Sequence, residues 1–550
     1  LRHGNWEVIE MAITPSPAPR SQSLDISSLT TAIERRFGPA VAPSIEDSNG
    51  DTCFEVTQPE VLPPLSKFLF WEAGCHFGGL IVEQRDQWNL RYVFLAPCSG
   101  WAHFILRVAL ETQVVPSISA QVHAADWHER EAEDLFGLDF EGHPRLGDFV
   151  LHDQVWQERI TPMRKAFRAR QEHFERRPRK DWRPTLVVQD PGSFAMPVGP
   201  VYEGGVGQSV HYLLETVGED VIRAAPRLFY NYRAVEKIAE DQQVSDVLLL
   251  AERFSATSAF AHSLAFCQAI EKALHVEVPR RARGLRVALA ELERLRRHAG
   301  TIAEICHSTA LAVSEAHASI TEEKLLRASC RFAGHRYLFG LNTPGGLRRD
   351  FDLEACLELL AAVDSASAEL RELDERLRYS SSFLDRLEDV GVVSQDSARE
   401  LDLAGPVGRA SGLRNDLRRI CPYSGYDSYD FEAACEQEGD GYARLRILFS
   451  EAQESARLIR QVIGSLEPGA ISVKLPETQP AAASGWVEAP VGAAVHWVRL
   501  DRQGRVERYR ILSPSFRNWH GLHAAVEDFA FQDFPIILAT FGLSAAECDR

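Results

Sequence analysis

The sequence predicts an α+β protein of two domains, a small mixed sheet-and-helix domain followed by a larger, mainly helical one with a minor β portion. Three observations lead there. At 550 residues the chain exceeds what one ordinary hydrophobic core organises. Short runs rich in β-branched and aromatic residues gather between about residues 28 and 155. From about residue 190 onward, apolar residues recur instead at three- and four-residue steps.

Residues 1–27 carry no apolar run of signal-peptide length before a Pro/Ser-rich stretch, and are expected to be a disordered extension. Arg91–Cys98 (RYVFLAPC) and His103–Leu110 (HFILRVAL) read as paired strands. In Trp127–Leu146 (WHEREAEDLFGLDFEGHPRL), Glu129, Arg130, Glu131, Glu133 and Asp134 make a densely charged helix end, and Gly137 and Gly142-His143-Pro144 then turn the chain. His128-Glu129 would open a zinc-peptidase helix only with a second His four residues after His128, where Ala132 stands. The stretch is therefore expected to serve assembly or docking rather than catalysis. A linker over residues 156–190 contains a basic run, Arg159–Arg183, with ten Arg or Lys against three acids. It reads either as a solvated linker or as an arm laid across acidic partner subunits.

In the helical part, Leu285, Ala288, Leu292, Leu295 and Ala299 share one face of a helix that Gly300 can cap. Glu323–Gly340 and Phe351–Leu377 are also helix-like, with a break at Thr343–Leu347. Pro468–Trp486 reads as loop, and Trp486–Leu512 as a hairpin turning at Arg502-Gln503-Gly504.

Composition excludes several classes. A net charge of −18 argues against nucleic acid as a partner, since phosphate recognition needs a basic face. No window approaches ~18 uninterrupted apolar residues, so no membrane-spanning helix is expected. The ten cysteines form no Cys-x-x-Cys pair, which leaves no zinc ribbon or iron–sulfur cradle. Scattered thiols suit a reducing cytoplasm, most of them as small buried hydrophobes. Gly205-x-Gly207 begins a dinucleotide pattern, but Val210 holds the third glycine's place and no preceding strand is legible, so direct NAD binding is not expected.

The Trp127–Leu146 stretch is similar, almost residue for residue, to the signature of the 30-kDa subunit of respiratory complex I, the proton-pumping NADH:quinone oxidoreductase. Further along come Met196–Glu215 (MPVGPVYEGGVGQSVHYLLE), Leu228–Glu240 (LFYNYRAVEKIAE), Ala333–Gly346 (AGHRYLFGLNTPGG) and Arg409–Tyr423 (RASGLRNDLRRICPY). Gly439–Ser455 (GDGYARLRILFSEAQES), Trp486–Gly492 (WVEAPVG) and Pro514–Trp519 (PSFRNW) follow. In order and spacing these resemble the large subunit of nickel–iron hydrogenases of the energy-converting hydrogenase-4/formate hydrogenlyase type, and its homologue, the 49-kDa quinone-site subunit of complex I. The resemblance spans roughly residues 30 to 550. It implies a 30-kDa-like domain over residues 28–155 and a helical, hydrogenase-large-subunit-like domain over residues 191–550.

The same resemblance singles out the site. The hydrogenase motif Arg-x-Cys-Gly-x-Cys-x-x-x-His is met here by Arg253 and His262, with Ser255 and Ser258 in place of the cysteines. The terminal motif Asp-Pro-Cys-x-x-Cys-x-x-Arg is met by Arg550, with Ser544 and Glu547 at the cysteine positions. Serine hydroxyls stay protonated near neutral pH and do not replace thiolates. No metal site and no nickel–iron centre is therefore expected. Glu547 beside Cys548 and Asp549 offers, at most, a poor site for a harder metal. Of the complex I quinone-site pair, Val206 stands where the loop His is required and Ala256 where the Tyr after the helix-opening Arg is required, which leaves Tyr202 as a replacement donor or a packed loop tyrosine. Arg233 and Glu236 match Arg-Gly-x-Glu with Ala234 for Gly, implying a proton relay at Glu236 or a structural ion pair. His262 reads as a second relay group or a core histidine. By resemblance Arg253, Arg336 and Arg233 face the iron–sulfur cluster of a neighbouring small subunit.

The implied role is a subunit that couples electron transfer to ion translocation in a membrane-associated complex, an oxidoreductase at the level of the complex. The implied partners are an iron–sulfur small subunit like the 20-kDa subunit of complex I, and antiporter-like and quinone-module membrane subunits. The implied place is peripheral, on the cytoplasmic face of the membrane. A quinone-reducing catalytic subunit and a purely structural adaptor are the alternatives.

Overall fold

The computed structural model describes residues 25–44, 51–97, 100–152, 160–170, 192–201, 210–477 and 479–550. Tyr202, Gly205, Gly207, most of the N-terminal extension and most of the basic linker lie outside the described residues. Helix α1 (Ile26–Phe37) opens on Asp25, whose side chain accepts from the Ser28 amide. Strands β1 (Val41–Ser44) and β2 (Thr52–Val56), helix α2 (Leu62–Lys67), and strands β3 (His76–Gln84), β4 (Trp88–Ala96) and β5 (Gly100–Val108) follow. They form one sheet in the order β1-β2-β5-β4-β3, with β2 parallel to β5 and the other pairs antiparallel. The paired strands expected near Arg91 and His103 are β4 and β5.

The period-2 alternation along this sheet feeds two cores. Leu80, Val82, Tyr92 and Phe94 pack into the N-terminal core, while Ile81, Val93, Leu95 and Trp101 pack against the helical half. Both faces are therefore dry. Beyond the sheet, β6 (Val114–Pro116) and β7 (Asp139–Glu141) pair in parallel and bracket α3 (Asp126–Phe136), which Gly137 ends at φ 73°. At the charged end of α3, Arg130, Glu133 and Asp134 are half-buried, while two of the acids turn inward. Glu129 and Glu131 are buried, because Ser117 and the Ile118 amide satisfy the first and two arginines from the chain's C-terminal region satisfy the second.

Strands β8 (Phe194–Val201), β9 (Val210–Val217) and β10 (Asp220–Arg227) form an antiparallel meander. A strand does precede Gly205, contrary to expectation, but the next described element is another strand and not the helix a dinucleotide fold requires. Helices α4 (Val235–Ile238), α5 (Val244–Arg253), α6 (Ala259–Ala273), α7 (Arg280–Ser308) and α8 (Ala312–Ala333) come next. A small hairpin, β11 (Asn342–Thr343) and β12 (Gly346–Leu347), leads to α9 (Leu353–Leu377). Short helices α10 (Ser381–Leu384), α11 (Gln395–Glu400), α12 (Gly405–Ala410) and α13 (Leu417–Ile420) precede α14 (Gly441–Gly464). Strands β13 (Ala481–Ala489), β14 (Gly492–Leu500) and β15 (Val506–Leu512) make a three-stranded antiparallel sheet. The chain closes with α15 (Pro514–Val526), β16 (Phe529–Ala530), which adds to β10, and α16 (Phe534–Phe541).

Three expectations need correction. Gly300 caps nothing. Helix α7 runs through it to Ser308, and a Cβ there would stand 2.8 Å from the Glu322 carboxylate, so the glycine serves close packing of α7 on α8. Helix α8 ends at Gly334, φ 85°, leaving His335–Gly340 outside any helix. Residues 481–486 are strand rather than loop. Their small side chains reflect the close approach of α6, since a Cβ on Gly485 would lie 2.1 Å from the Ala265 carbonyl. Of the cysteines among the described residues, Cys330 is exposed, Cys435 is half-buried and the others are buried.

Burying so many ionisable groups sets a pH optimum. Burial pushes His103 and His152 down to about 4, and pushes His128, His496 and His520 well below the ordinary 6.5. It pushes Glu129 up to about 8 and Glu293 and Asp549 up to about 7. Below pH ~6.5 the unfolded chain takes protons on these histidines that the folded chain refuses, so acidification destabilises. The three acids act oppositely, because the folded state binds their protons and the unfolded state does not, so raising the pH from about 4 to 8 destabilises. The lowered histidines among the described residues, which also include His123, His143, His211, His298 and His523, outnumber the raised acids, which also include Asp134, Glu488 and Glu527, so the histidines dominate below pH ~6.5 and the acids above it. Thermal melts across pH 5 to 8 are expected to show a maximum near pH ~6.5, at about 1.4 kcal/mol per pH unit for each uncompensated proton. A monotonic profile would contradict this.

Candidate functional site

Two short 3-10 turns define the site, Ala256–Ser258 at the start of α6 and Ala545–Glu547 in the chain's last residues. At three residues per turn, positions i and i+3 eclipse, which aligns Ser255 with Ser258 and Ser544 with Glu547. All four side chains are buried. The two turns meet where the Ser255 hydroxyl donates to Glu547 Oε1 at 3.4 Å. Ser255 and Thr257 hydroxyls lie 3.1 Å apart. Glu547 Oε2 accepts from the Ser515 amide at 3.3 Å, and its carbonyl accepts from the Ser513 hydroxyl at 2.9 Å. The hydroxyls of Ser258 and Ser544 have no hydrogen-bond partner among the described residues. Ser255 and Glu547 thus bring the two turns together, with Ser258 and Ser544 buried on the same turns, and this polar region is the chamber of the site.

His262, one turn into α6, closes the chamber. Its Nε2 lies 3.4 Å from Glu547 Oε1, and its ring packs against Phe254. Burial opposes ionisation of Glu547, yet the His262 hydrogen bond and the contacts with Ser515 bring its pKa below the ordinary value. Two further residues, not singled out from the sequence, continue from His262. His262 Nδ1 is 3.0 Å from His496 Nε2, and His496 Nδ1 is 2.7 Å from the Tyr509 hydroxyl. His496 sits on β14 opposite Ile511, so Tyr509, two residues along β15, is its diagonal neighbour. Burial, then repulsion from His262 and Arg550, keeps His496 neutral, and burial and nearby Glu236 and Cys267 raise Tyr509 above its usual pKa. The one signal in the sequence is a histidine inside the apolar strand AAVHWV.

Glu236 lies at the free edge of β15. Its carboxylate accepts from Arg508 at 3.2 Å, from Arg510 and Arg550 at 3.3 Å, and from the Ile511 amide at 3.0 Å. Burial opposes its charge, but Arg510, Arg508 and Arg550 hold its pKa below the ordinary carboxylate range. Arg510 and Arg550 continue to Glu131 on α3, at 2.5 and 3.1 Å. Glu236 is therefore a fixed anion in a cluster that ties the N-terminal sheet domain to the chain's tail. Ala234 occupies the left-handed region at φ 53° just before α4, the conformation that explains glycine in the resembling motif.

The three singled-out arginines do not converge. Arg233 donates to the carbonyls of Asp549 and Ala546, at 3.1 and 2.6 Å, and pins the tail. Arg253, with its side chain 58% exposed, lies over Phe339. Arg336, half-exposed, is paired with Glu323 at 2.6 Å. Arg253 and Arg336 share the surface formed by the loop His335–Gly340, where His335 stacks on Phe339. Arg296 reaches from beneath to the Thr257 carbonyl, joining this surface to the chamber's first turn.

The pattern of the respiratory-chain NADH dehydrogenase 49 Kd subunit matches residues 315–486 and 474–550, and that of the 30 Kd subunit matches residues 56–173. Hydrogenase-4 component G of Escherichia coli (strain K12) is 30% identical over 450 residues, covering 80% of this chain and 77% of that protein. The chain belongs to the family of fused 30-kDa and 49-kDa subunits. Formate hydrogenlyase subunit 5 of Escherichia coli (strain K12) is 28% identical over 501 residues, covering 89% of this chain and 87% of that one. The fused C/D subunit of the NADH-quinone oxidoreductase of Bdellovibrio bacteriovorus is 28% identical over 485 residues, covering 81% of this chain and 85% of that one. In family terms, α3 and most of the first sheet lie in the 30-kDa part, and Ser544 and Glu547 in the 49-kDa part. Ser255, Ser258 and His262 fall between the matched stretches.

Proposed function

We propose that this chain is a subunit of a membrane-associated oxidoreductase complex related to hydrogenase-4 and complex I, and that it couples electron transfer to ion translocation without a nickel–iron site of its own. The donor set of the chamber carries this reading. Ser255, Ser258 and Ser544 supply neutral hydroxyls and Glu547 a hard carboxylate, whereas thiolates are what a nickel–iron centre of the resembling hydrogenases requires. Neighbouring Cys548 does not repair the deficit. Burial pushes its thiol well above the ordinary value, and its sulfur lies 3.9 Å from the Ser544 carbonyl. These residues do not fit the metal centre.

What the chamber retains is suited to holding and moving protons. His262, rather than the arginine-locked Glu236, is the group we assign to a relay. The exposed Arg253 and the half-exposed Arg336 suit a partner's iron–sulfur cluster, because a guanidinium nearby stabilises the added electron and raises the potential. We assign this face to a small iron–sulfur subunit like the 20-kDa subunit of complex I. Among the described residues no helix is long and apolar enough to cross a membrane. We therefore assign membrane attachment to antiporter-like and quinone-module partners, with this chain on the cytoplasmic face.

The test is metal analysis of the purified intact complex together with hydrogen uptake measured with an artificial viologen acceptor. Nickel far below stoichiometric and no hydrogen uptake are expected, alongside an iron–sulfur paramagnetic signal from the partner. Stoichiometric nickel or measurable uptake overturns the reading of the chamber. Absence of any iron–sulfur signal overturns the electron-coupling role in favour of a structural adaptor.

A further inference from the structure

Eight ionisable side chains meet in the core of the helical half. Glu291, Arg294 and His298 come from α7, Arg409 from α12, Asp416 and Arg418 from the start of α13, Glu451 from α14 and Glu488 from β13. All eight are buried. The ionisable groups that act most strongly on each of them are other members of the set and Tyr426, whose phenol burial keeps uncharged. The set is therefore electrostatically closed. It holds four carboxyl groups against three guanidiniums, which are always charged. With every carboxyl ionised and His298 neutral, it would bury one negative charge in excess, and an unbalanced buried charge costs far more than a balanced set. One added proton restores the balance.

The hydrogen bonds choose where that proton goes. Asp416 holds Arg418 in a two-pronged pair at 3.0 and 2.7 Å. Glu291 accepts from Arg418 at 3.1 Å and from the Tyr426 and Ser455 hydroxyls, each at 2.6 Å. Glu451 accepts from Arg409 Nε and from His298 Nε2, both at 2.8 Å, and a second Arg409 nitrogen lies 2.6 Å away. Glu488 is the least supplied. It accepts from one Arg409 nitrogen at 2.8 Å and from the Leu417 amide at 3.1 Å, while Arg294 donates to its backbone carbonyl instead. Charged donors keep a carboxyl ionised, so the group with fewest of them takes the proton. We propose that Glu488 is the proton-binding site of this cluster, holding the one hydrogen that balances three carboxylates against three guanidiniums. The direction in which each group titrates agrees. Burial opposes charge on Asp416, Glu291 and Glu451, yet Arg418 for the first two and Arg409 for the third bring them below their ordinary values. Burial raises Glu488 in spite of Arg409, with Asp416 adding to the rise, and burial lowers His298 in spite of its bond to Glu451. The site deepens the proposed coupling role by adding a proton store on α7, the helix whose Arg296 also binds the chamber's first turn. It rests on that role for its purpose alone, since the protonation of Glu488 is read out whatever the nickel content of the complex.

Infrared spectroscopy of the intact complex tests this, because a protonated carboxyl absorbs apart from carboxylates and amides. Carbon-13 in the glutamate carboxyl groups of this chain shifts the bands that belong to it. At neutral pH the native chain is expected to show a protonated-carboxyl band that moves with the label and is lost entirely in Glu488→Gln. Bands from the other raised glutamates, Glu129 and Glu293, are expected to stay in both. Glu488→Asp keeps an acid at the site, and is expected to retain the band without its response to the glutamate label. That variant makes the assignment even if Glu488→Gln does not fold, since the new amide meets the Leu417 N–H. Glu291→Gln removes one negative charge and is expected to abolish the same band, because Glu488 then ionises to restore the balance. Label-sensitive bands that are the same in the native chain and the Glu488 variants overturn the proposal. So does a doubly protonated His298 in the native chain, measured by nuclear magnetic resonance of nitrogen-15 histidine and assigned with His298→Gln, since the balancing proton would then sit on the imidazole.

Discussion

Arg409→Ala is expected to cost about 3–5 kcal/mol, the typical penalty for stranding buried charges, against a total stability of about 5–15 kcal/mol for a domain. Arg409, on α12, is fully buried and donates to Glu451 of α14 at 2.8 Å and to Glu488 of β13 at 2.8 Å. The same cluster includes Arg418, which binds Asp416 at 2.7 Å and Glu291 at 3.1 Å. Arg294 lies 3.3 Å from Glu291 and 3.6 Å from Glu451, and His298 meets Glu451 at 2.8 Å. Every one of these side chains is at most 1% exposed, so the cluster is closed to solvent. Removing the Arg409 guanidinium takes the closest cation from two carboxyl groups that water does not reach, leaving Glu451 with His298 and Arg294, and Glu488 with the Leu417 amide. Arg409→Lys keeps the charge but not the two-pronged geometry, and is expected to lie between native and alanine. Denaturant unfolding of the purified variants measures the loss. The comparison is Arg336→Ala, whose pair with Glu323 is open to solvent and is expected to contribute little to stability. Equal costs for the two variants would sink the claim that this cluster holds α7, α12, α14 and β13 together.

The second large effect concerns the chamber. Replacing Ser255, Ser258, Ser544 and Glu547 together by cysteine is expected to create a tetrathiolate site that takes up zinc or cobalt, where the native chain takes up neither in stoichiometric amount. The reason is geometric. Each 3-10 turn aligns its two positions, and the 3.4 Å contact between Ser255 and Glu547 shows that the turns face one another. Tetrahedral thiolate coordination needs sulfur at about 2.3 Å from zinc, and binding of about 10–16 kcal/mol outweighs the loss of the Glu547–His262 hydrogen bond. Cobalt reports the site through its thiolate absorption bands, and metal analysis gives the stoichiometry. A folded four-cysteine variant that binds no metal would show that the four positions do not converge. Metal bound equally by the native chain would show that oxygen donors suffice.

Much of the architecture is legible in the sequence. Strands β4 and β5 announce themselves by apolar runs of β-branched and aromatic residues, as strands covered on both faces do, and α7 and α9 by apolar residues at helical steps. The turn at Arg502–Gly504 is legible from its polar residues and glycine. Strand β13 is not, because its Ala-Ala-Ala-Ser-Gly start has little strand propensity and owes its state to α6 lying against it. The charged face of α3 misleads in the opposite sense. Two of its acids look solvent-directed in one dimension, yet Glu129 is buried against Ser117 and the Ile118 amide, and Glu131 against Arg510 and Arg550 returning from the C-terminal region.

For the site, Ser255, Ser258, Ser544, Glu547 and His262 are singled out through the resemblance to the hydrogenase motifs, and their residue types then determine what donors the two turns present. Their neighbours cannot. His496 and Tyr509 meet His262 only through the register of β14 on β15 and the packing of α6 across that sheet, and Glu236 acquires its three guanidiniums from strands and a tail that are remote in the chain. Hydrogen-bond donors and ionisable groups carry their identity in the sequence, but their protonation and pairing depend on which distant groups exclude water around them, and that is decided only when the chain closes on itself.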